Sequence, residues 1–266
     1  MLRERTISAI VLIVLIIIFI FWGSLPFLIL LMFINIMGVI EYNRLINGKK
    51  EEAILLMIFS IIFILVTYLT SIDYLKGPIS VMVYLFIFAL IIAHFIIIKK
   101  VLLKTLACNL FGIIYLGAGL SFLFLLRDFS IEPFNFTRAL WLVLLTTWAA
   151  DIGAYFSGIY LGRNKLAPKI SPNKTIEGAL GGIILAVIIV FLLTASFGIF
   201  EIKWILYATI TAIIGMIGDL FESKLKREMG IKDSGKLIPG HGGVLDRIDS
   251  LLFTAPFTYF YLLIFI

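Results

Sequence analysis

The chain has 266 residues, of which 62% are hydrophobic and 14% charged, with a formal net charge of +6. A soluble domain carries about 25% charged residues; here long apolar blocks alternate with short polar stretches, which excludes an ordinary water-soluble fold and specifies an integral membrane protein. The single cysteine, Cys108, excludes an intramolecular disulfide and a multi-cysteine zinc site, and with only His94 and His241 besides, a bound cation is expected to be hard and oxygen-liganded, Mg²⁺ ahead of Zn²⁺.

The predicted fold is an all-α polytopic membrane bundle of about nine spans, at 7–22, 25–41, 53–70, 79–98, 103–126, 139–161, 177–199, 203–222 and 249–266. The opening segment superficially resembles a signal peptide. Its apolar core is too long, no small-x-small cleavage site follows, and it reads as a retained first helix. Residues 1–138 form a scaffold of about five helices, and 139–266 form the region expected to carry the chemistry, with polar inserts at 162–176 and 223–248.

Faces alternate along such a chain. One side receives Arg3, Arg5, Arg44, Lys49, Lys50, Lys99, Lys100, Lys104, Arg163, Lys165, Lys169, Lys174, Lys224, Lys226, Arg227, Lys232, Lys236 and Arg247, and the other only Lys76, Arg127, Arg138 and Lys203. This 18-to-4 division makes the first side cytoplasmic, with both inserts on it, the N-terminus inside and the C-terminus outside. Trp22, Trp141 and Trp204 fall at the outer ends of their spans, where an interfacial aromatic belt is expected. Glu41 and Arg44 read as a surface pair three residues apart just past the second span. Cys108 and His94 read as packing or interface residues.

Asp151 lies about ten residues inside the sixth span, roughly 15 Å from its cytoplasmic end at about 1.5 Å per residue. A carboxylate at that depth needs a polar cavity or a partner, so it is read either as a functional group or as one side of a structural hydrogen bond. Gly158-x-x-x-Gly162 and Gly178-x-x-x-Gly182 read as helix-packing seams. Before the seventh span, Ser171 or Thr175 can cap the helix. Its free N–H groups and Lys174 then offer a phosphate-binding end, although a helix start alone explains Thr175 equally well.

Asp219, Ser223 and Lys226 share one helix face at the cytoplasmic end of the eighth span. Asp246 and Asp249 share a face at the start of the ninth, with Ser250 one turn beyond Asp246. Carboxylates on two neighbouring helix ends, Asp219, Asp246 and Asp249, can hold a divalent cation against phosphate oxygens. Between them, residues 223–249 carry six Lys/Arg, four acids, five glycines and His241. Gly240, Gly242 and Gly243 around that histidine permit a tight backbone whose successive N–H groups can cradle an anion. The plainer alternative, a loop made basic by topology alone, accounts for the lysines but not for the aspartates at membrane-embedded ends.

The run Ser223-x-Leu225-Lys226-Arg227, then Lys232-Asp233-x-Gly235, then Ile238-Pro239-x-His241-Gly242-Gly243-Val244-x-Asp246-Arg247-Ile248-Asp249, resembles the signature of the CDP-diglyceride synthetases, also called phosphatidate cytidylyltransferases. Ser171-Pro172-Asn173-Lys174-Thr175-Ile176-Glu177-Gly178 resembles a second stretch of that family, with Asn173 standing where lysine is expected. The residues around Asp151 resemble a third. The resemblance covers the chain from roughly Asp151 onward.

It implies transfer of a cytidylyl group from CTP to phosphatidate, giving CDP-diacylglycerol and pyrophosphate. On this reading Asp219, Asp246, Lys226, Arg227 and His241 are catalytic. Ser171, Lys174, Thr175, Ser223, Lys232, Gly242, Gly243 and Arg247 bind substrate, and Asp219, Asp246 and Asp249 hold Mg²⁺, or Mn²⁺, with room for a second cation. The expected partners are CTP and bilayer phosphatidate, with no nucleic acid, and a homodimer is the oligomer the family suggests. The expected location is a bacterial-type cytoplasmic membrane with the site facing the cytoplasm. Two alternatives are another CTP-dependent membrane lipid phosphotransferase of the polyprenol kinase type and an ion-coupled transporter using Asp151 and Asp219.

Overall fold

The computed structural model describes residues 2–71, 103–135, 137–199, 201–235, 237 and 242–266. The predicted fourth span at 79–98, with His94, lies outside the described residues, as do Lys236 and Ile238–His241 of the second insert. The chain forms two compact units, Met1–Asp128 with Asp233–Asp246, and Phe129–Lys232 with Arg247–Ile266.

The first unit contains α1 (Leu2–Trp22), α2 (Ser24–Leu45), α3 (Lys50–Ser71) and a span built from α4 (Leu103–Gly112), a π-helical turn (Ile113–Ala118) and α5 (Gly119–Arg127). Two buried hydroxyls of this unit find acceptors within it, as groups removed from water tend to do. The Ser60 hydroxyl donates to Asn35 Oδ1 at 2.8 Å, and the Tyr42 hydroxyl donates to the Cys108 carbonyl at 2.8 Å. Gly117 lets the π turn close on α3, since a Cβ there would stand 3.1 Å from Ser60 Cα.

The second unit contains α6 (Arg138–Leu161), a hairpin of β1 (Lys165–Ala167) and β2 (Ser171–Thr175), α7 (Ile176–Ser196), α8 (Ile202–Glu228) and α9 (Leu245–Phe265), the last from Arg247 onward. Of the two predicted glycine seams, Gly178-x-x-x-Gly182 lies at the close contact of α6 with α7, whereas Cβ atoms on Gly158 and Gly162 would face Thr175. A Cβ on Gly153 would lie 2.6 Å from the Gly181 carbonyl oxygen, one on Gly178 2.8 Å from that of Ala154, and one on Gly182 2.6 Å from that of Ala150. Only hydrogen at these positions lets α6 and α7 meet backbone to backbone. Hydroxyl pairs stitch α9 to its neighbours, Thr147 with Thr254 at 3.3 Å and Tyr207 with Thr258 at 3.0 Å.

Among the described residues, seven helices are long and apolar enough to cross a membrane; the apolar part of α1, Ile10–Trp22, is shorter. The protein is an all-α polytopic membrane protein, and eight of the nine predicted spans coincide with described helical segments.

Two expectations are corrected. Trp204 is not in an interfacial belt but buried, 1% exposed, with its indole N–H donating to the Ile199 carbonyl at 2.8 Å and its ring against Phe134, Tyr207 and Tyr261. Its N–H is satisfied by the α7–α8 turn, which removes any need for interfacial water. Glu41 is not half of a surface pair: α2 runs on to Leu45, and Glu41 is 4% exposed.

Candidate active site

In the second unit, the first polar insert is a built element. The Glu177 carboxylate accepts hydrogen bonds from the Arg163 N–H at 3.0 Å, the Asn164 N–H at 3.1 Å and the Asn164 side-chain amide at 2.8 Å. These bonds and the antiparallel pairing of Lys165 with Thr175 fold residues 162–176 back onto the start of α7. Thr175 then caps that helix, its buried hydroxyl accepting the Gly178 N–H at 3.0 Å.

The hairpin delivers Lys174 to α8, where its ammonium sits 2.5 Å from Asp219 Oδ2. The other oxygen of Asp219 accepts the Ser223 hydroxyl at 3.2 Å. A second link runs through Arg227, which donates to the carbonyls of Ile170 at 3.2 Å and Ile231 at 2.9 Å. The family-like stretch 171–178 and the start of the signature, 223–227, therefore meet at one end of α8. Arg227 is anchored on backbone carbonyls, and Lys226 is buried and paired with the fully buried Glu222 one turn earlier.

Gly218 brings α8 against α9, since a Cβ there would stand 2.8 Å from the Asp249 carbonyl and 3.2 Å from Ser250 Cα. Asp249 interacts electrostatically with Asp219, Asp151 and Lys226, and Asp151 with Asp219, Lys174 and Arg247. Three carboxylates thus share a neighbourhood with three cations. Like charges gathered in this way repel unless offset, and Lys174, Lys226 and Arg247 lower that repulsion. Lys232 and Arg247 are exposed, and Ser171 is half-buried.

In the first unit, the described part of the glycine-rich loop does turn its N–H groups toward anions, but the anions belong to the protein. Gly242 has φ +83°, a conformation that favours glycine. The Gly243 N–H then donates to Asp246 Oδ2 at 2.7 Å, in the manner of a capping-box acid. The next two N–H groups, of Val244 and Leu245, donate to Glu41 at 3.0 and 2.8 Å. Asp246 Oδ2 also accepts the Ser234 N–H at 3.1 Å and its hydroxyl at 3.0 Å. The Gly243 N–H, expected to face a triphosphate, is thus engaged by a carboxylate of its own segment. His241 lies outside the described residues.

A family model described as the cytidylyltransferase family matches residues 3–265. The chain belongs to this family. A phosphatidate cytidylyltransferase of Bacillus subtilis is 34% identical over 99% of this chain and 98% of its own length. Those of Haemophilus influenzae and Thermotoga maritima are 47% and 44% identical, over 51% and 59% of this chain and 50% and 58% of their own lengths. The family match extends over the N-terminal spans, for which no motif was visible in the sequence.

The donor chemistry around Asp219 fits a hard cation, being oxygen-only and anionic. Among the described residues, however, no three acidic, histidine or cysteine side chains are spaced as a ready cation site, and Lys174 takes the place of a cation on Asp219. The contacts of three acids of this family member were not visible in the sequence pattern. Glu222 hides in the i,i+4 step to Lys226, a spacing that was there to be read. Glu177 sits inside the quoted stretch but caps backward onto Arg163 and Asn164. Glu41 meets its partners across some two hundred residues, and its one sequence signal is an acid closing an apolar span on the basic side.

Proposed function

We infer that this chain transfers a cytidylyl group from CTP to phosphatidate, forming CDP-diacylglycerol and pyrophosphate. The observation that carries the reading is the meeting of the 171–178 stretch with the 223–227 segment through Lys174–Asp219 and Arg227–Ile170, in a chain matched to the family from end to end.

A phosphatidate phosphate oxygen attacks the α-phosphorus of CTP. The new oxygen–phosphorus bond forms as the bond to the bridging oxygen of the β-phosphate breaks, and pyrophosphate leaves with that electron pair. A phosphate monoester is already anionic, so no strong base is required; the obstacle is repulsion between two anions. Lys174 and Lys226 supply positive charge once substrate phosphates compete for them with Asp219 and Glu222, and Arg247 and Lys232 supply it from exposed positions. Arg227, Ser171, Thr175 and Ser223 hold the phosphate-facing end of α8 and the hairpin in register.

Asp219 and Asp249 would hold Mg²⁺, which when bound neutralises phosphate charge and polarises the α-phosphorus. The charge bias of the loops supports a cytoplasmic location for the hairpin and for the end of α8, with the lipid acyl chains remaining in the bilayer. The test is purified protein in mixed micelles with labelled CTP and phosphatidate. CDP-lipid and pyrophosphate should appear in equal amounts, exhaustive EDTA should stop turnover, and Mg²⁺ should restore it better than Zn²⁺. Phosphorylated lipid with release of CDP would instead identify a kinase.

A further inference from the structure

We propose that Glu41 is a positioning residue for the signature loop, acting through Ser234 on Asp246. The proposal rests on the catalytic role that the signature resemblance implies for Asp246. Nothing in the signature contains Glu41, which stands on α2, 193 residues before Ser234 and more than 200 before Val244 and Leu245.

Both oxygens of Glu41 are used. Oε1 accepts the Val244 N–H at 3.0 Å; Oε2 accepts the Leu245 N–H at 2.8 Å and the Ser234 hydroxyl at 2.9 Å. The two N–H groups are among the orphan donors at the start of α9, where the helix dipole favours a negative charge. The same Ser234 hydroxyl lies 3.0 Å from Asp246 Oδ2. One hydroxyl proton thus stands between two carboxylates, and the position of one acid constrains the other. Two signature glycines complete the clamp. A Cβ on Gly235 would strike Glu41 Oε1, and one on Gly243 would strike Glu41 Oε2 and the Ser234 hydroxyl. These glycines leave the space that the carboxylate fills.

A buried carboxylate is a costly way to fill space, and glutamine of the same shape would serve a purely packing role. The amide offers one acceptor oxygen and places an NH₂ donor against an N–H donor. The experiment measures kcat and both KM values for Glu41→Gln, Glu41→Asp, Ser234→Ala and the Glu41→Gln/Ser234→Ala double variant, with Asp246→Asn beside them. Each rate is normalised to the folded fraction. Glu41→Gln should lose about tenfold or more in kcat, as expected for a charge-assisted contact, with KM changing less than about twofold. Glu41→Asp, which keeps two acceptor oxygens, should retain more activity than Glu41→Gln. The double variant should lose less than the product of the single losses, because both changes break one bridge.

The proposal is overturned if Glu41→Gln keeps wild-type kcat while Asp246→Asn is inactive, or if the single losses multiply. A fully active Asp246→Asn would instead refute the reading of Asp246 on which the proposal stands. Should Glu41→Gln fail to fold, Ser234→Ala decides the matter, since it leaves both N–H contacts of Glu41 intact. Lost kcat in that variant supports the bridge, and unchanged kcat removes it.

Discussion

Replacing Glu222 by leucine isolates the worth of a buried charge in α8. Glu222 is fully buried and its partner Lys226 is 8% exposed. On an exposed helix such an i,i+4 pair contributes about 0.3–0.5 kcal/mol. Here, removing the acid leaves an ammonium without its counter-charge, a change that costs about 3–5 kcal/mol in buried pairs. Asp249 also acts on Lys226 electrostatically and offsets part of that loss, so the lower end of the range is expected. Adding Lys226→Met to Glu222→Leu should recover most of the stability, because two apolar chains of similar volume replace two charges. Activity should stay low in the double variant if Lys226 contacts a phosphate. The assay pairs reversible unfolding in mixed micelles with initial rates of CDP-lipid formation. A Glu222→Leu protein within about 1 kcal/mol of wild type would refute the argument that this pair is held against a desolvation penalty.

Three further outcomes follow from the geometry. Gly182→Ala should destabilise by about 1–3 kcal/mol because its methyl would stand 2.6 Å from a carbonyl oxygen. Gly158→Ala, whose methyl would meet Thr175 Oγ1 at an ordinary 3.4 Å, should stay within about 0.5 kcal/mol; equal losses in unfolding measurements would contradict the seam. Thr175→Val keeps the shape but loses the cap on the Gly178 N–H and should cost about 0.5–2 kcal/mol, whereas Thr175→Ser should retain the cap, as read by thermal unfolding. Lys174→Ala should lower turnover by about tenfold or more, while Lys49→Ala, an exposed loop cation, should change it by less than about twofold. Equal effects would reduce Lys174 to a topology signal.

Much of the unit from Phe129 to Lys232 was legible because its signals are local. Thr175 is a cap residue followed three positions on by its glycine, and Gly178-x-x-x-Gly182 presents two hydrogens on one helix face. Asp219, Ser223 and Lys226 fall on one face by the helical period alone. The antiparallel hairpin inside the first insert was not legible, since strands of three and five residues leave no hydrophobic alternation to read. Trp204 was misplaced because position at a span end says nothing about which way the side chain packs.

A helical membrane protein, its two polar inserts and the residue types gathered in them can be read along the chain, because membrane insertion, helical period and capping act over stretches no longer than about one span. Which charges meet depends on how the folded segments pack. Lys174 finds Asp219, Arg227 finds the Ile170 carbonyl, Glu41 takes the N–H groups of Val244 and Leu245, and Asp246 takes that of Gly243, which the glycine pattern had reserved for substrate. The physical reason is that a buried charge must be satisfied by whatever donor lies within about 3 Å, and chain separation along the sequence does not enter that requirement.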